Sequence, residues 1–316
     1  MTTRKDIDML KGRFSQLSNF NQILLSLSLV VGSSFILLFV GSLLCYLFFG
    51  INIMTDTNAL DINGANPNIP ALKFYQAVYS IGMFIIPPFI IAYLLSFNVG
   101  EYLKINQSTK FLSFFQAFLL ILVSLPLINM MGELNSQIHF PDSLKGIEQW
   151  MRNSEEHATV VTQKFLKMDH LGDLLTNLFL IAVIPALGEE LLFRGVLQKQ
   201  LSKLTGNIHW GIFISAALFS ALHMQFFGFF PRLFLGMLFG YLLVWTGSLW
   251  VPILAHLVNN GLAVTASYFM GRGQLPEEAD RIGSSSMMWE TSIISLILFS
   301  ILTYHLFRSR KRQVEC

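Results

Sequence analysis

The 316-residue chain is 53% apolar and only 13% charged, and its formal net charge is +2. A soluble domain carries about 25% charged residues, so this composition excludes an ordinary soluble globule. The nearly balanced charge gives no basic field over the whole molecule, which argues against a nucleic-acid partner. The sequence therefore predicts an all-α polytopic membrane protein that interacts with the lipid bilayer.

Eight apolar stretches are long enough to predict membrane-spanning helices. They cover residues 23–49, 74–97, 111–131, 174–193, 208–227, 229–245, 249–270 and 292–307. Pro87 and Pro88 predict a kink or break in the second stretch, and Pro185 lies within the fourth. The carbonyl groups that such prolines leave free need partners on neighbouring helices, so these positions are predicted to be buried.

The longest connection between spans, roughly residues 132–172, predicts an interfacial helix between Ser143 and Met168. Eight spans return both termini to one side, and most of the basic residues fall on that side, including Arg4 and Lys5. The positive-inside rule identifies this side as cytoplasmic. The sequence thus predicts cytoplasmic N- and C-termini and a location in the plasma membrane of a bacterial cell.

Ionisable residues within predicted spans call for a functional explanation, because a charge in hydrocarbon costs at least about 2.5–3.5 kcal/mol. Glu189 and Glu190 precede Arg194 at the end of the fourth span. Glu190 and Arg194 are four residues apart and share a helix face, which predicts an ion pair. Glu189 projects in another direction and has no local counter-charge, so it is a candidate general base.

Two later spans carry further polar side chains at helical spacing. His223 follows Phe219 by four residues, and Asn260 follows His256 by four. His256 and Asn260 share a helix face and can donate to the same point, as in an oxyanion hole. Glu189 with His223 can hold and deprotonate a water molecule. Together these residues predict a peptidase that forms no covalent intermediate.

In their order on successive helices, the three patterns resemble the motifs of the CPBP intramembrane protease family. They read Glu-Glu-x-x-x-Arg at 189–194, Phe-x-x-x-His at 219–223 and His-x-x-x-Asn at 256–260. That family groups CAAX prenyl endopeptidases with bacteriocin-processing and self-immunity proteins of the Abi type. The resemblance covers about residues 174–270.

The resemblance implies roles for the individual side chains. Glu189 would activate water with His223, while His256 and Asn260 would form the oxyanion site. The supporting residues would be Glu190 and Arg194, which shape the site, and Phe219, which packs beside it.

The resemblance also implies a domain organisation and a class of substrate. Residues 173–271 would form the catalytic core, 1–172 a three-span region with an extramembrane loop, and 272–316 the last span with a basic tail. Substrates would be membrane-associated peptides or proteins, such as prenylated CAAX tails or bacteriocin-type peptides. Because Glu189 shortly precedes the inner connection 198–207, the site is predicted to lie within the membrane near its inner face.

Two other hypotheses stay open at this point. Glu189, His223 and His256 could bind zinc, whose water would serve the same hydrolysis. The chain has no His-Glu-x-x-His pattern, and Asn260 is a poor zinc ligand, so a glutamic peptidase without cofactor is favoured. Alternatively, the polar residues belong to a non-enzymatic scaffold or a transporter. An enzyme requires the four candidate catalytic groups to converge on a water-sized space, and a scaffold does not.

Overall fold

The computed structural model describes residues 10–56, 61–62, 64, 67–284 and 288–314, and these contain helices and no β-strand. The helices are α1 (Asn19–Phe49), α2 (Ile69–Leu95), α3 (Val99–Tyr102), α4 (Phe111–Ser136), α5 (Lys145–Leu166), α6 (Leu171–Thr205), α7 (Ile208–Ala221), α8 (Phe229–Thr246), α9 (Trp250–Gly271) and α10 (Glu290–Val314). The predicted all-α membrane bundle is confirmed. Arg4 and Lys5, which contributed to the predicted orientation, lie outside the described residues.

Within the described ranges, six helices are long and apolar enough to cross a membrane. They are α1, α2, α4, α6, α8 with the short turn before it, and the Glu290–Arg308 part of α10. Helix α7 has only 14 residues and ends at Ala221, so the predicted fifth span over 208–227 is too long. At 1.5 Å per residue α7 covers about 21 Å, less than the hydrocarbon thickness of about 30 Å. The count of eight spans stays a prediction.

Prolines distort two long helices without breaking them. In α2 the π-helical segment Ile81–Ile85 precedes Pro87 and Pro88, and in α6 the π-helical segment Leu178–Val183 precedes Pro185. The Ser33 hydroxyl of α1 donates a hydrogen bond to the Gly82 carbonyl at 2.6 Å. A neighbouring helix therefore satisfies the distorted backbone of α2, as predicted from the prolines.

Helix α6 is the central element of the half of the bundle that carries the polar motifs. Helix α7 packs against α8 and the C-terminal part of α6, while α9 packs against α4 and the N-terminal part of α6. Every side chain of the segment Leu191–Leu197 in α6 is buried. The four helices α6, α7, α8 and α9 thus enclose the residues that the sequence singles out.

The helix predicted between Ser143 and Met168 is present as α5, which contacts the loop between α7 and α8. The Trp150 ring lies 5.1 Å from that of Phe226, and a Glu155 carboxylate oxygen accepts a hydrogen bond from the Phe227 N–H at 3.1 Å. Helix α5 therefore holds the segment that directly follows His223.

Glu148 fixes the beginning of α5. The Phe140 N–H donates to its carboxylate at 3.0 Å, and Arg152 donates to it at 2.6 Å. These hydrogen bonds lower the pKa of Glu148 to about 2, the backbone N–H of Phe140 having the larger effect. Glu148 is consequently charged at neutral pH.

Candidate active site

Two π-helical segments flank the pair of acidic residues in α6. Glu189 and Glu190 lie in the α-helical stretch Ile184–Glu190, between π segments at Leu178–Val183 and Leu191–Leu197. A π segment adds a residue to a turn and so changes the direction in which the following side chains project. The positions of the two carboxylates relative to the rest of the bundle therefore depend on features that a regular 3.6-residue period does not contain.

The predicted ion pair between Glu190 and Arg194 is present and deeply buried. Arg194 Nη1 donates to Glu190 Oε1 at 2.9 Å, and the two side chains are 1% and 0% exposed. Arg194 Nη2 donates to the Gly236 carbonyl of α8 at 2.9 Å, and the guanidinium lies over the Phe219 ring at 4.7 Å. The pair thus connects α6 to both α7 and α8.

Glu190 has a second partner, which the sequence spacing did not predict. His256 Nδ1 lies 2.9 Å from Glu190 Oε1, and the ring stacks on Phe239 with centroids 5.0 Å apart. The Glu190 carboxylate, which is ionised in its pair with Arg194, has no proton to donate to His256. Nδ1 of His256 therefore carries the proton of this hydrogen bond. Nε2 of the same ring lies 3.7 Å from Glu189 Oε2. His256 therefore lies between the two carboxylates.

His223 follows the end of α7 and is held by its own helix. Its Nδ1 lies 2.8 Å from the Phe219 carbonyl oxygen, which can only accept, so Nδ1 donates and Nε2 of the neutral ring is free to accept. The pairing of Glu189 with His223 around a water molecule stays a prediction. The direct ionic contact of Glu189 in the described structure is with His256, and Glu189 and His223 interact electrostatically.

Asn260 is bound to the distorted backbone of α6. Its Nδ2 donates to the Ile181 carbonyl at 3.2 Å. In a regular α-helix this carbonyl would accept from residue 185, which is proline and has no N–H. The Asn260 Oδ1 accepts from Asn259 Nδ2 at 3.1 Å. These bonds use one of the two N–H donors of the Asn260 amide. The joint role of His256 and Asn260 at an oxyanion stays a prediction.

The candidate site does not adjoin the connection predicted at residues 198–207. Helix α6 continues from Glu189 to Thr205, and His223 follows the opposite end of α7 from that connection. The predicted position beside 198–207 is thus wrong. The Glu189 side chain is 13% exposed, and His223 lies at the surface of the helix bundle.

Two cavities are lined by residues of α4, α6, α8 and α9 that are neighbours of the candidate residues in the sequence. One of about 390 Å³ has only apolar lining, including Ala186 and Leu187 of α6 and Ile253 and Leu257 of α9. The other, of about 570 Å³, contains Arg232 in a largely apolar wall. Sequence reasoning missed Arg232, although it is the only charged residue in the predicted span 229–245 and the cost of burying a charge would have indicated it.

The alternative zinc site stays a hypothesis. In the described part of the chain, no group of three or more His, Cys, Asp or Glu side chains is arranged to hold a metal ion. Zinc binding by Glu189, His223 and His256 would require these three side chains to come together.

Gly188 sets the distance between α6 and α2 beside Glu189. A Cβ atom at this position would lie 2.7 Å from Phe84 Cβ and 3.1 Å from Ile85 Cγ1. We expect Gly188→Ala to destabilise the protein by about 1–3 kcal/mol through overpacking, measured as thermal unfolding in detergent. Gly32→Ala is the matched control, because a Cβ there meets no atom within 4 Å. Equal stability of both variants would contradict the close packing of α2 on α6.

Comparisons with known proteins agree with the location of this site. Residues 172–262 match the family described as type II CAAX prenyl endopeptidase Rce1-like. The Bacillus subtilis (strain 168) protein described as uncharacterized protein YpbD is 31% identical over 86 residues, which are 26% of this chain and 41% of that protein. The chain thus spans less than half of that relative. No solved structure matches the chain. The resemblance predicted from the three motifs is confirmed.

Proposed function

Because residues 172–262 form an Rce1-like segment, similar to type II CAAX prenyl endopeptidases, we propose that this chain is an intramembrane endopeptidase that hydrolyses membrane-associated peptides. The observation that carries the proposal is the position of His256 between Glu190 at 2.9 Å and Glu189 at 3.7 Å. An ionisable cluster of this kind, partly exposed at Glu189 and surrounded by apolar helices, is the arrangement expected of a hydrolytic site.

Glu189 acts as the general base in the proposed mechanism. Its carboxylate takes a proton from a water molecule as the water oxygen attacks the scissile carbonyl carbon. The unprotonated Nε2 of His223 accepts a hydrogen bond from the same water and orients it, since Nδ1 is already bound to the Phe219 carbonyl. Hydrolysis proceeds without an acyl-enzyme intermediate.

His256 stabilises the oxyanion of the tetrahedral intermediate. Its Nδ1–H is directed at Glu190, so Nε2 donates to the oxyanion only when the ring carries both protons, with the two carboxylates as counter-charges. The spare N–H of Asn260 is a second donor after a modest rearrangement. The C–N bond then breaks, and protonated Glu189 returns its proton to the leaving amine.

Apolar surface beside the site supports a lipid-associated substrate. The cavity of about 390 Å³ is lined in part by residues within one helical turn of Glu189 and His256, namely Ala186, Leu187, Ile253, Leu254 and Leu257, and it presents no polar wall. An isoprenyl or acyl chain on the substrate matches this lining. Substrates reach the site from the end of the helix bundle at which α5 lies. With both termini cytoplasmic, this end faces outward. Bacteriocin-type peptides are therefore tested together with prenylated CAAX tails.

A peptide library tests the proposal. The purified protein is incubated with prenylated, acylated and unmodified peptides, with and without a chelator, and products are identified by mass spectrometry. We expect cleavage of internal peptide bonds in lipidated members, unchanged by the chelator. A folded protein that cleaves no member would favour the scaffold or transporter hypothesis, and loss of cleavage with chelator that added zinc restores would identify a metallopeptidase.

A further inference from the structure

A groove between α2, α5 and α6 has three lysines at one end. Lys73 lies near the beginning of α2, Lys164 in the last turn of α5, and Lys167 directly after α5. The groove has a volume of about 770 Å³, which exceeds that of the cavities of about 390 Å³ and 570 Å³. An ammonium group in the wall of a largely apolar groove loses hydration, and an anionic ligand compensates this loss.

The protein fixes two of these lysines and leaves N–H donors free. Lys73 is half-buried, and its Nζ lies over the Phe165 ring, 5.7 Å from the centroid. Lys164 Nζ donates to the Ile62 carbonyl, which uses one of its three N–H donors. Among the described residues, no carboxylate oxygen lies within 4.0 Å of Lys73 or Lys167. The end of the groove therefore presents positive charge without a direct counter-ion at these two lysines.

Two acidic residues also line the groove and reduce its charge without cancelling it. Asp173 is directed at the backbone before α6, where its Oδ2 accepts from the N–H groups of Asp169 and His170 at 3.0 Å and 2.9 Å. Asp169 is exposed, so solvent screens its carboxylate. The three lysines and the two aspartates leave one positive charge in the lining. This charge complements a ligand with a single negative charge.

Beyond the lysines the groove is mainly apolar and follows two candidate membrane spans. Its wall includes Ala77 and Ile81 of α2 and Phe179 and Ile184 of α6. From Lys73 to Ile81 the helix extends about 12 Å. Phe179 is 56% exposed, so this wall is open to the bilayer. The shape and chemistry fit a ligand that has an anionic head and an apolar chain.

We propose that the groove binds an anionic phospholipid of the bilayer, with the phosphate at the three lysines and an acyl chain along α2 and α6. Lysine binds phosphate through its charge and its N–H donors, and basic pockets between membrane helices suit anionic headgroups. A zwitterionic headgroup adds a cation, which the positive charge of the groove disfavours. The bound lipid contacts α5, the helix that holds the segment after His223. Lipid binding does not require the proposed peptidase function.

Native mass spectrometry of the purified chain in detergent tests this site. Phosphatidylglycerol and phosphatidylcholine with identical acyl chains are titrated separately, and Kd is measured for the first bound lipid. We expect phosphatidylglycerol to bind more tightly to the native chain. In the double variant Lys73→Gln/Lys167→Gln its Kd should rise about 10- to 30-fold, while the Kd of phosphatidylcholine changes by less than about twofold. Ala77→Phe, which fills the apolar part of the groove, should also weaken phosphatidylglycerol binding.

Lys145→Gln is the matched control, because Lys145 is an exposed lysine at the opposite end of α5, about 28 Å from Lys164. It should keep the native Kd. Equal affinity of the native chain for the two lipids, or an unchanged Kd for phosphatidylglycerol in the double variant, overturns the proposal. If the double variant does not fold, Lys167→Gln alone replaces it, since Lys167 is exposed, and a rise of about fivefold is expected.

Glycerol 3-phosphate distinguishes a lipid headgroup from a free phosphate. It carries a phosphate but no acyl chain, so it should not displace phosphatidylglycerol from the native chain at equal concentration. Displacement at equal concentration would show that a soluble phosphate compound is sufficient, and it would overturn the phospholipid as the ligand of this groove.

Discussion

Glu189→Gln is expected to lower kcat for peptide hydrolysis by about 10²- to 10⁴-fold, the range contributed by a general base. The amide has nearly the same shape as the carboxylate but cannot take a proton from water. Its contact with His256 Nε2, 3.7 Å away in the native chain, changes little in geometry. KM should therefore stay close to the native value, and single-turnover kinetics with a lipidated peptide separates the two parameters.

Glu156→Gln is the matched control for this variant, because Glu156 is an exposed carboxylate on α5. It should retain native turnover. Native turnover in Glu189→Gln, in a sample with native thermal stability, would contradict the assignment of the base. Loss of turnover together with loss of stability would instead indicate that Glu189 supports the fold, since its carboxylate is a counter-charge of His256.

Much of the fold could be predicted from the sequence because long apolar stretches are stable in a bilayer only as helices. The ends of these helices were less predictable. No charged residue interrupts the segment from Ala221 through Phe227, which has only His223 and Gln225 among apolar residues, yet the chain turns after Ala221 and Met224 adopts a φ of 53°. Apolarity alone does not distinguish a helix from an apolar loop, so the predicted span was extended beyond the end of α7.

The contacts among the candidate site residues could be predicted only in part. Spacing along one helix gave the Glu190–Arg194 pair, because residues four apart share a face. Pairing between helices depends on their separation and rotation, and α6 has a π segment on each side of its two acidic residues. His256 therefore contacts Glu190 directly, and Asn260 donates to the carbonyl that Pro185 leaves free. These contacts depend on how the helices pack, which the sequence pattern of a single helix does not predict.

Arg194→Met is expected to reduce the free energy of unfolding by about 3–5 kcal/mol, because it leaves the Glu190 carboxylate buried without its cation. Glu190 is 0% exposed, and its Oε2 is a buried atom with no hydrogen-bond partner, so no solvent replaces the lost contact. The lost hydrogen bond to the Gly236 carbonyl of α8 adds to the effect. Unfolding is measured in detergent against Arg281→Met, an exposed arginine whose loss should change stability by no more than about 0.5 kcal/mol.

A double-variant cycle separates the unpaired charge from the loss of packing in this prediction. Glu190→Gln combined with Arg194→Met removes the buried charge. The free energy of unfolding of this double variant should therefore exceed that of Arg194→Met alone by about 1–3 kcal/mol. The glutamine oxygen can still accept from His256 Nδ1, which keeps that ring in place. If the double variant were no more stable than Arg194→Met, packing of the guanidinium over Phe219 would account for the loss, and the ion pair would not be the stabilising interaction.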